Sequence, residues 1–185
     1  LMQFNFYHSY TVDEHTIQCI SFLARIEQGI LKEELPIASE ILKSGVDRRV
    51  LYIAMLLHDI GKGLPEDHSI AGANIAKKIA PELGLSTLET ERVVWLVENH
   101  LVMSDFAQKR DLSDPRTVSN FGKIVKTTSN LNLLTVLTVC DIMGVGPGAL
   151  NNWKAQLLRE LYTNTRNLIK GCLLYTSDAA DEVDS

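Results

Sequence analysis

The sequence is poor in the features that mark several large classes of protein. Its three cysteines, Cys19, Cys140 and Cys172, form no CxxC pair and no even-numbered set. A disulfide framework is therefore not expected, and reduced thiols in a cytoplasm are the natural reading. No stretch approaches the ~18–20 continuous apolar residues of a membrane span, and the N-terminus lacks the basic-then-apolar order of a secretory signal. Positive charge is also scarce. The formal net charge is −5, from 23 acidic and 18 basic residues. Residues 171–185 hold Asp178, Asp181, Glu182 and Asp184 and no basic residue, so the remaining 19 acidic and 18 basic residues leave the body at −1. A nearly neutral body without a basic stripe speaks against nucleic acid as a partner.

What is present is a helical pattern. Hydrophobic residues make up 45% of the 185 and charged residues 22%, enough for one domain with a proper core. From Thr16 to Ile30, Ile17, Ile20, Leu23, Ile26 and Ile30 recur near a 3.6-residue period. Val50 to Leu57 is too apolar for a surface helix, and Gly61, Gly63 and Pro65 end it. Ile70 to Ile79 reads as a small-residue helix halted near Pro81 and Gly84. Ser86 and Glu89 spell a capping box, opening a helix through Val97. Asp114-Pro115 opens another. Leu131 to Met143 is a second strongly apolar helix, stopped by the Gly144–Gly148 cluster, and Trp153 to Ile169 is amphipathic. No alternating strand pattern is present, so the fold class is all-α.

Three places in this pattern carry chemistry. His58-Asp59 ends the first buried helix and Asp141 ends the second. Burying an unpaired carboxylate is costly, so two carboxylates brought from distant parts of one domain point to a shared cation. His15, early in a helix whose start is signalled by Thr11 and Asp13, supplies a fourth group. Two neutral imidazoles and two carboxylates sum to −2, which a divalent ion neutralises; the mixed nitrogen and oxygen set suits Mn, Fe, Co, Zn or Mg. Lys62, just past the pair, is placed to meet a phosphate oxygen as a point charge, or to sit in a solvated loop. His68 and His100 are candidates for a second cation, for acid catalysis or for orienting a ligand. Asp67 is a candidate for orienting water, or else a helix cap. His8 reads as a surface or supporting residue. Trp95 and Trp153 read as core residues, and the glycine cluster lacks the Lys-Ser/Thr of a phosphate-binding loop.

The order His15, His58-Asp59, Asp141 resembles the HD phosphohydrolase superfamily, whose ligands come from separate helices as H…HD…D. Segments 10–15, 58–63, 67–69, 72–73, 95–101, 141–142, 145–148 and 152–162 together resemble one family within it. That family is the HD domain of the bacterial bifunctional uridylyltransferase/uridylyl-removing enzymes, and the resemblance covers roughly residues 1–170. It departs at Asn99, where many relatives carry a second histidine, and at Met143 and Leu150. The resemblance implies an HD-domain helical bundle with a buried metal site over residues 1–171, cut from a longer multidomain enzyme. It implies His15, His58, Asp59 and Asp141 as metal ligands, Mn or Mg as the favoured cation, and removal of UMP from uridylylated PII signal protein in the bacterial cytoplasm. Two other functions stay open: a generic HD phosphohydrolase of free nucleotides, and a metal-stabilised module that docks PII and is inactive alone. No uridylyl transfer is expected from this chain. From Cys172 the pattern changes, and Cys172–Glu182 resembles a translated sequencing adapter. Residues 172–185 are therefore expected to be non-native read-through, disordered or loosely docked.

Overall fold

The computed structural model describes the backbone of residues 11–181 and the side chains of residues 11–172. His8 lies outside the described residues. Among them are nine helices and no strand: α1 (Val12–Glu27), α2 (Pro36–Ser44), α3 (Arg48–Leu57), α4 (His68–Glu82), α5 (Thr87–Glu98), α6 (Val102–Lys109), α7 (Pro115–Val125), α8 (Thr128–Met143) and α9 (Asn152–Asp181). The all-α expectation holds.

Helix α8 is the axis of the bundle. Every residue from Leu133 to Cys140 is buried, and α8 packs against α1, α2, α3, α5, α6, α7 and α9. A helix apolar on all sides has to be enclosed. Its two buried threonines remain compatible with that position because each hydroxyl donates to the carbonyl one turn back, Thr135 to Leu131 and Thr138 to Leu134, both at 2.7 Å. Helix α3 is the second interior element, touching α1, α4, α5 and α8, with Val50, Leu51, Ala54 and Met55 fully enclosed.

The caps follow the residues that announce them. Thr11, Asp47, Asp67, Ser86, Asp114 and Thr127 each accept from a backbone amide of the turn they open. The Ser86–Glu89 capping box is complete in both directions. Two helices, α2 and α6, are elements that the pattern did not predict. Both are short, and their apolar residues fall in single pairs of turns. Pro36 at the first turn of α2, with Ala38 and Ile41 buried below it, is the signal that marks it. Helix α4 ends at Glu82, between Pro81 in its last turn and Gly84, as expected. Helix α9 continues through Asp181, so the backbone of residues 172–181 is helical.

Candidate metal centre

Each of the interior helices ends at the same place. His58 is the C-cap of α3, Asp59 follows it, and Asp141 stands in the last turn of α8. His15 projects from the first turn of α1, where Thr11 caps the helix. These four residues converge. His15 Nε2 lies 2.9 Å from Asp141 Oδ1 and 3.5 Å from Asp59 Oδ2. His58 Nε2 lies 3.3 Å from Asp141 Oδ1, 3.4 Å from Asp59 Oδ2 and 3.3 Å from His15 Nε2. His15, His58 and Asp59 are buried, while Asp141 keeps 17% of its side chain exposed, so the cluster reaches solvent at that carboxylate.

The cluster extends further. The rings of His15, His58, His100 and His68 form an edge-to-face chain with centroids 5.4, 5.5 and 5.4 Å apart, so four of the five histidines in the sequence stand in one row. The ligand atoms of His15, Cys19, His58 and Asp141 lie within 4.8 Å of one another, and so do those of Asp59, His68 and His100. Asp59 faces both sets, with Oδ2 toward His15 and His58 and Oδ1 3.6 Å from His100 Nε2.

Hydrogen bonding on the far side of the rings shows that the donor set fits a cation. His58 Nδ1 is 2.6 Å from the Met55 carbonyl oxygen and His100 Nδ1 is 2.6 Å from that of Val97. A carbonyl only accepts, so each Nδ1 carries the proton and each Nε2 turns toward the carboxylates, the arrangement that orients histidine ligands in metal sites. His100 Nε2 and His68 Nε2 are buried without a hydrogen-bond partner; at 3.6 Å the Asp59 contact of His100 is beyond bonding distance. A bare imidazole lone pair beside a carboxylate is unfavourable until something positive lies between them.

The electrostatics agree. Burial opposes charge on His58, but the Asp141 and Asp59 carboxylates beside it push its imidazole up to about 9. Burial likewise opposes charge on Asp141 and Asp59, yet the surrounding imidazoles hold both below the usual carboxylate range, with Lys62 also acting on Asp59. Burial, aided by His100, holds His68 below the ordinary histidine value.

A consequence can be measured. Metal binding requires neutral imidazole, so a divalent cation entering at pH 7 must displace the His58 proton. Apparent affinity is expected to rise with pH up to about 9, by about tenfold per unit; calorimetry in buffers of different ionisation enthalpy reports the proton released. In the chelator-treated chain the linkage has the opposite sense. His58 titrates at about 9 folded against 6.5 unfolded, so its contribution to stability is complete below 6.5 and lost as pH rises through 9. The lowered Asp59 and Asp141 contribute above 3.8 and lose that contribution as pH falls. Thermal melts in EDTA are expected to weaken from pH 6.5 to 9, and melts with metal are not.

The other sequence candidates are placed as follows. Lys62 is paired with the cluster: Nζ lies 2.6 Å from Asp59 Oδ2. His68 opens α4 and His100 follows α5, both inside the cluster. Asp67 caps α4, accepting from the Ser69 and Ile70 amides at 2.9 and 3.3 Å; it is exposed and is the cap rather than a member of the cluster. Asn99 stays out of it too, its side-chain amide donating to the Trp95 carbonyl. Trp153, expected in the core, is 61% exposed, because it opens α9 on the solvent side.

Cys19 is the member that sequence reasoning did not identify. Its Sγ lies 3.5 Å from His15 Nε2. The signal was the spacing: four residues after His15, it shares that helical face. Three glycines also position the site. Gly144 caps α8 against α1, where an added Cβ would collide with Cys19 Sγ. Gly61 and Gly72 let the segment after α3 lie directly on α4.

Comparison with known proteins gives a consistent picture. Residues 12–141 match the HD domain family, and HD domains bind divalent metals. The chain is 67% identical over 170 residues to a bifunctional uridylyltransferase/uridylyl-removing enzyme of Ruegeria pomeroyi, an alignment covering 92% of this chain and 19% of the relative. It is 63% identical over 184 residues to the enzyme of that name from Cereibacter sphaeroides, covering 98% and 20%. A third, from Bradyrhizobium diazoefficiens, is 54% identical over 173 residues, covering 92% and 18%. The chain thus spans about a fifth of the length of the curated relatives it matches. No helix among the described residues is long and apolar enough to cross a membrane.

Proposed function

The chain belongs to the HD domain family, and on that basis we propose that it hydrolyses the phosphodiester joining UMP to a tyrosine of the PII signal protein, in the cytoplasm, with Mn or Mg at the His15, His58, Asp59 and Asp141 cluster. The observation that carries this reading is the convergence of those four side chains in a chain 67% identical to an enzyme named as uridylyl-removing.

The cation, once bound, would supply a water of lowered pKa and polarise the phosphoryl oxygens. The chain's own residues do the rest. Asp59 and Asp141 hold the charge of the site, with their orientation fixed by His15 and His58. Lys62, now on Asp59 Oδ2, is near enough to exchange that partner for a phosphoryl oxygen. The water oxygen forms the new bond to phosphorus, the bond from phosphorus to the tyrosyl oxygen breaks, and that oxygen takes up a proton to restore tyrosine. A phenol of pKa about 10 leaves without strong acid assistance. This fits a His68 held neutral by burial, which suits an acceptor or a ligand better than a proton donor.

Incubation of the manganese-loaded chain with uridylylated PII is expected to release UMP, and EDTA to stop it. Hydrolysis of free nucleotides with the modified protein left intact would overturn the substrate assignment. Binding of PII without UMP release would make the chain a docking module.

A further inference from the structure

An open groove of about 330 Å³, within the ~300–1,000 Å³ usual for small-molecule sites, is lined by residues that follow His15 and Asp141 along the chain. One wall is α1, through Gln18, Phe22 and Arg25; another is the segment following Asp141, through Met143 and Pro147; Glu34 also lines it. Both walls therefore continue directly from metal-site residues. Gln18 is three residues beyond His15 and Phe22 seven, so they extend the His15 face of α1 by about 4.5 and 10.5 Å along its axis. Met143 is two residues beyond Asp141, the one of the four clustered residues that reaches solvent.

The lining has a defined chemistry. The half-buried Phe22 ring presents an aromatic surface, with the Arg25 guanidinium 5.3 Å from its centroid. The Gln18 side chain offers one acceptor and two donors side by side, and Arg25 offers donors only. An amide that gives and takes on adjacent atoms matches the N3–H and carbonyl edge of a pyrimidine dione, and a guanidinium, held here over the Phe22 ring, suits its other carbonyl. A phosphoryl group at the cluster would have its ribose and base within the ~10 Å that the groove spans along α1.

We propose that this groove is the nucleoside subsite and that Gln18 and Arg25 select uracil at it. The inference rests on the proposed removal of UMP, since it names where the nucleoside half of that substrate lies. The opposite half, the tyrosine and its protein, leaves by the exposed side of Lys62 and Asp141.

The test is equilibrium binding of UMP, CMP and ribose 5-phosphate to the manganese-loaded chain, unmodified and as Gln18→Ala and Arg25→Ala. Neither residue is buried, and circular dichroism verifies that the variants fold. UMP is expected to bind at least about tenfold more tightly than ribose 5-phosphate and more tightly than CMP, because only the uracil edge meets both the Gln18 amide and the Arg25 guanidinium. Each substitution is expected to reduce that preference by about fivefold or more while ribose 5-phosphate binds as before. Equal binding of UMP and ribose 5-phosphate by the unmodified chain would overturn the inference. So would a uracil preference that survives both substitutions, or an equal loss for all three ligands. A uracil preference that depends on Gln18 and Arg25, in a chain that releases no UMP from uridylylated PII, leaves the subsite standing and removes only the proposed reaction.

Discussion

Replacing Asp141 with asparagine is expected to abolish tight metal binding and lower hydrolysis by more than about a hundredfold, while the far-ultraviolet circular dichroism stays helical. The substitution keeps the side chain's shape and removes one charge. Asp141 Oδ1 lies 2.9 Å from His15 Nε2 and 3.3 Å from His58 Nε2, so it joins the imidazole at the start of α1 to the imidazole at the end of α3. Removing partners that merely orient ligands already costs about 10–100-fold, and losing a ligand carboxylate costs more. The site is left with Asp59 alone, half its negative charge, and an amide that presents donors to a cation. The fold should survive because α8 is held by Leu131, Leu134 and Leu137, not by its last turn. The metal-free variant should also show a lower His58 titration than about 9, since the larger of the two carboxylate effects on that ring comes from Asp141; NMR of the imidazole reads it directly. Stoichiometric manganese binding at unchanged affinity would remove Asp141 from the ligand set.

Asp59 and Asp141 were legible in the sequence because each breaks a local rule. A carboxylate at the end of a helix as apolar as Val50–Leu57 or Leu131–Cys140 has no reason to be there unless something positive meets it. His15 was legible only by its place at a capped helix start. Beyond those four, the signal fades for physical reasons. Lys62 pairs with Asp59 through a turn that follows the helix, and no periodic rule predicts the shape of that turn. His68 and His100 follow caps and breaks, and whether two such positions meet depends on how α4 lies on α5. Cys19 looked like one of three scattered thiols because only its place one turn after His15 on α1 marks it, and that spacing matters only once His15 is known to face the cluster. Helices α2 and α6 were missed because eight or nine residues give too few turns for a period to stand out. Asp67 shows the reverse case: an acidic residue beside a cluster of ligands, fully accounted for by two backbone amides.

Gly61 is where fold and site depend on the same contact, and Gly61→Ala is expected to damage both. A Cβ at Gly61 would collide with the His68 carbonyl oxygen, lie 2.5 Å from the Gly72 nitrogen and 3.0 Å from the Ala71 Cβ. The first two are backbone atoms, which no rotamer change can move aside, so α4 as a whole must shift away from the segment 58–62. Overpacking of this kind costs about 1–3 kcal/mol, which for a chain of this length lowers the melting temperature by about 2–4 °C for each kcal/mol. The shift also carries His68 away from Asp59 and His100, because His68 is the first residue of α4 and its own carbonyl is the atom displaced. Gly61→Ala should therefore lose catalytic rate out of proportion to its loss of stability, with the His15, His58 and Asp141 side of the site still binding a cation. The comparison that isolates this is Gly45→Ala. Gly45, after α2, has φ +98 and nothing within 4 Å of an added Cβ, so that variant pays backbone strain at a position where no helix has to move. A variant at Gly61 with unchanged melting temperature and unchanged rate would mean that α4 does not rest on the segment bearing Asp59, and that His68 is held in place by some other contact.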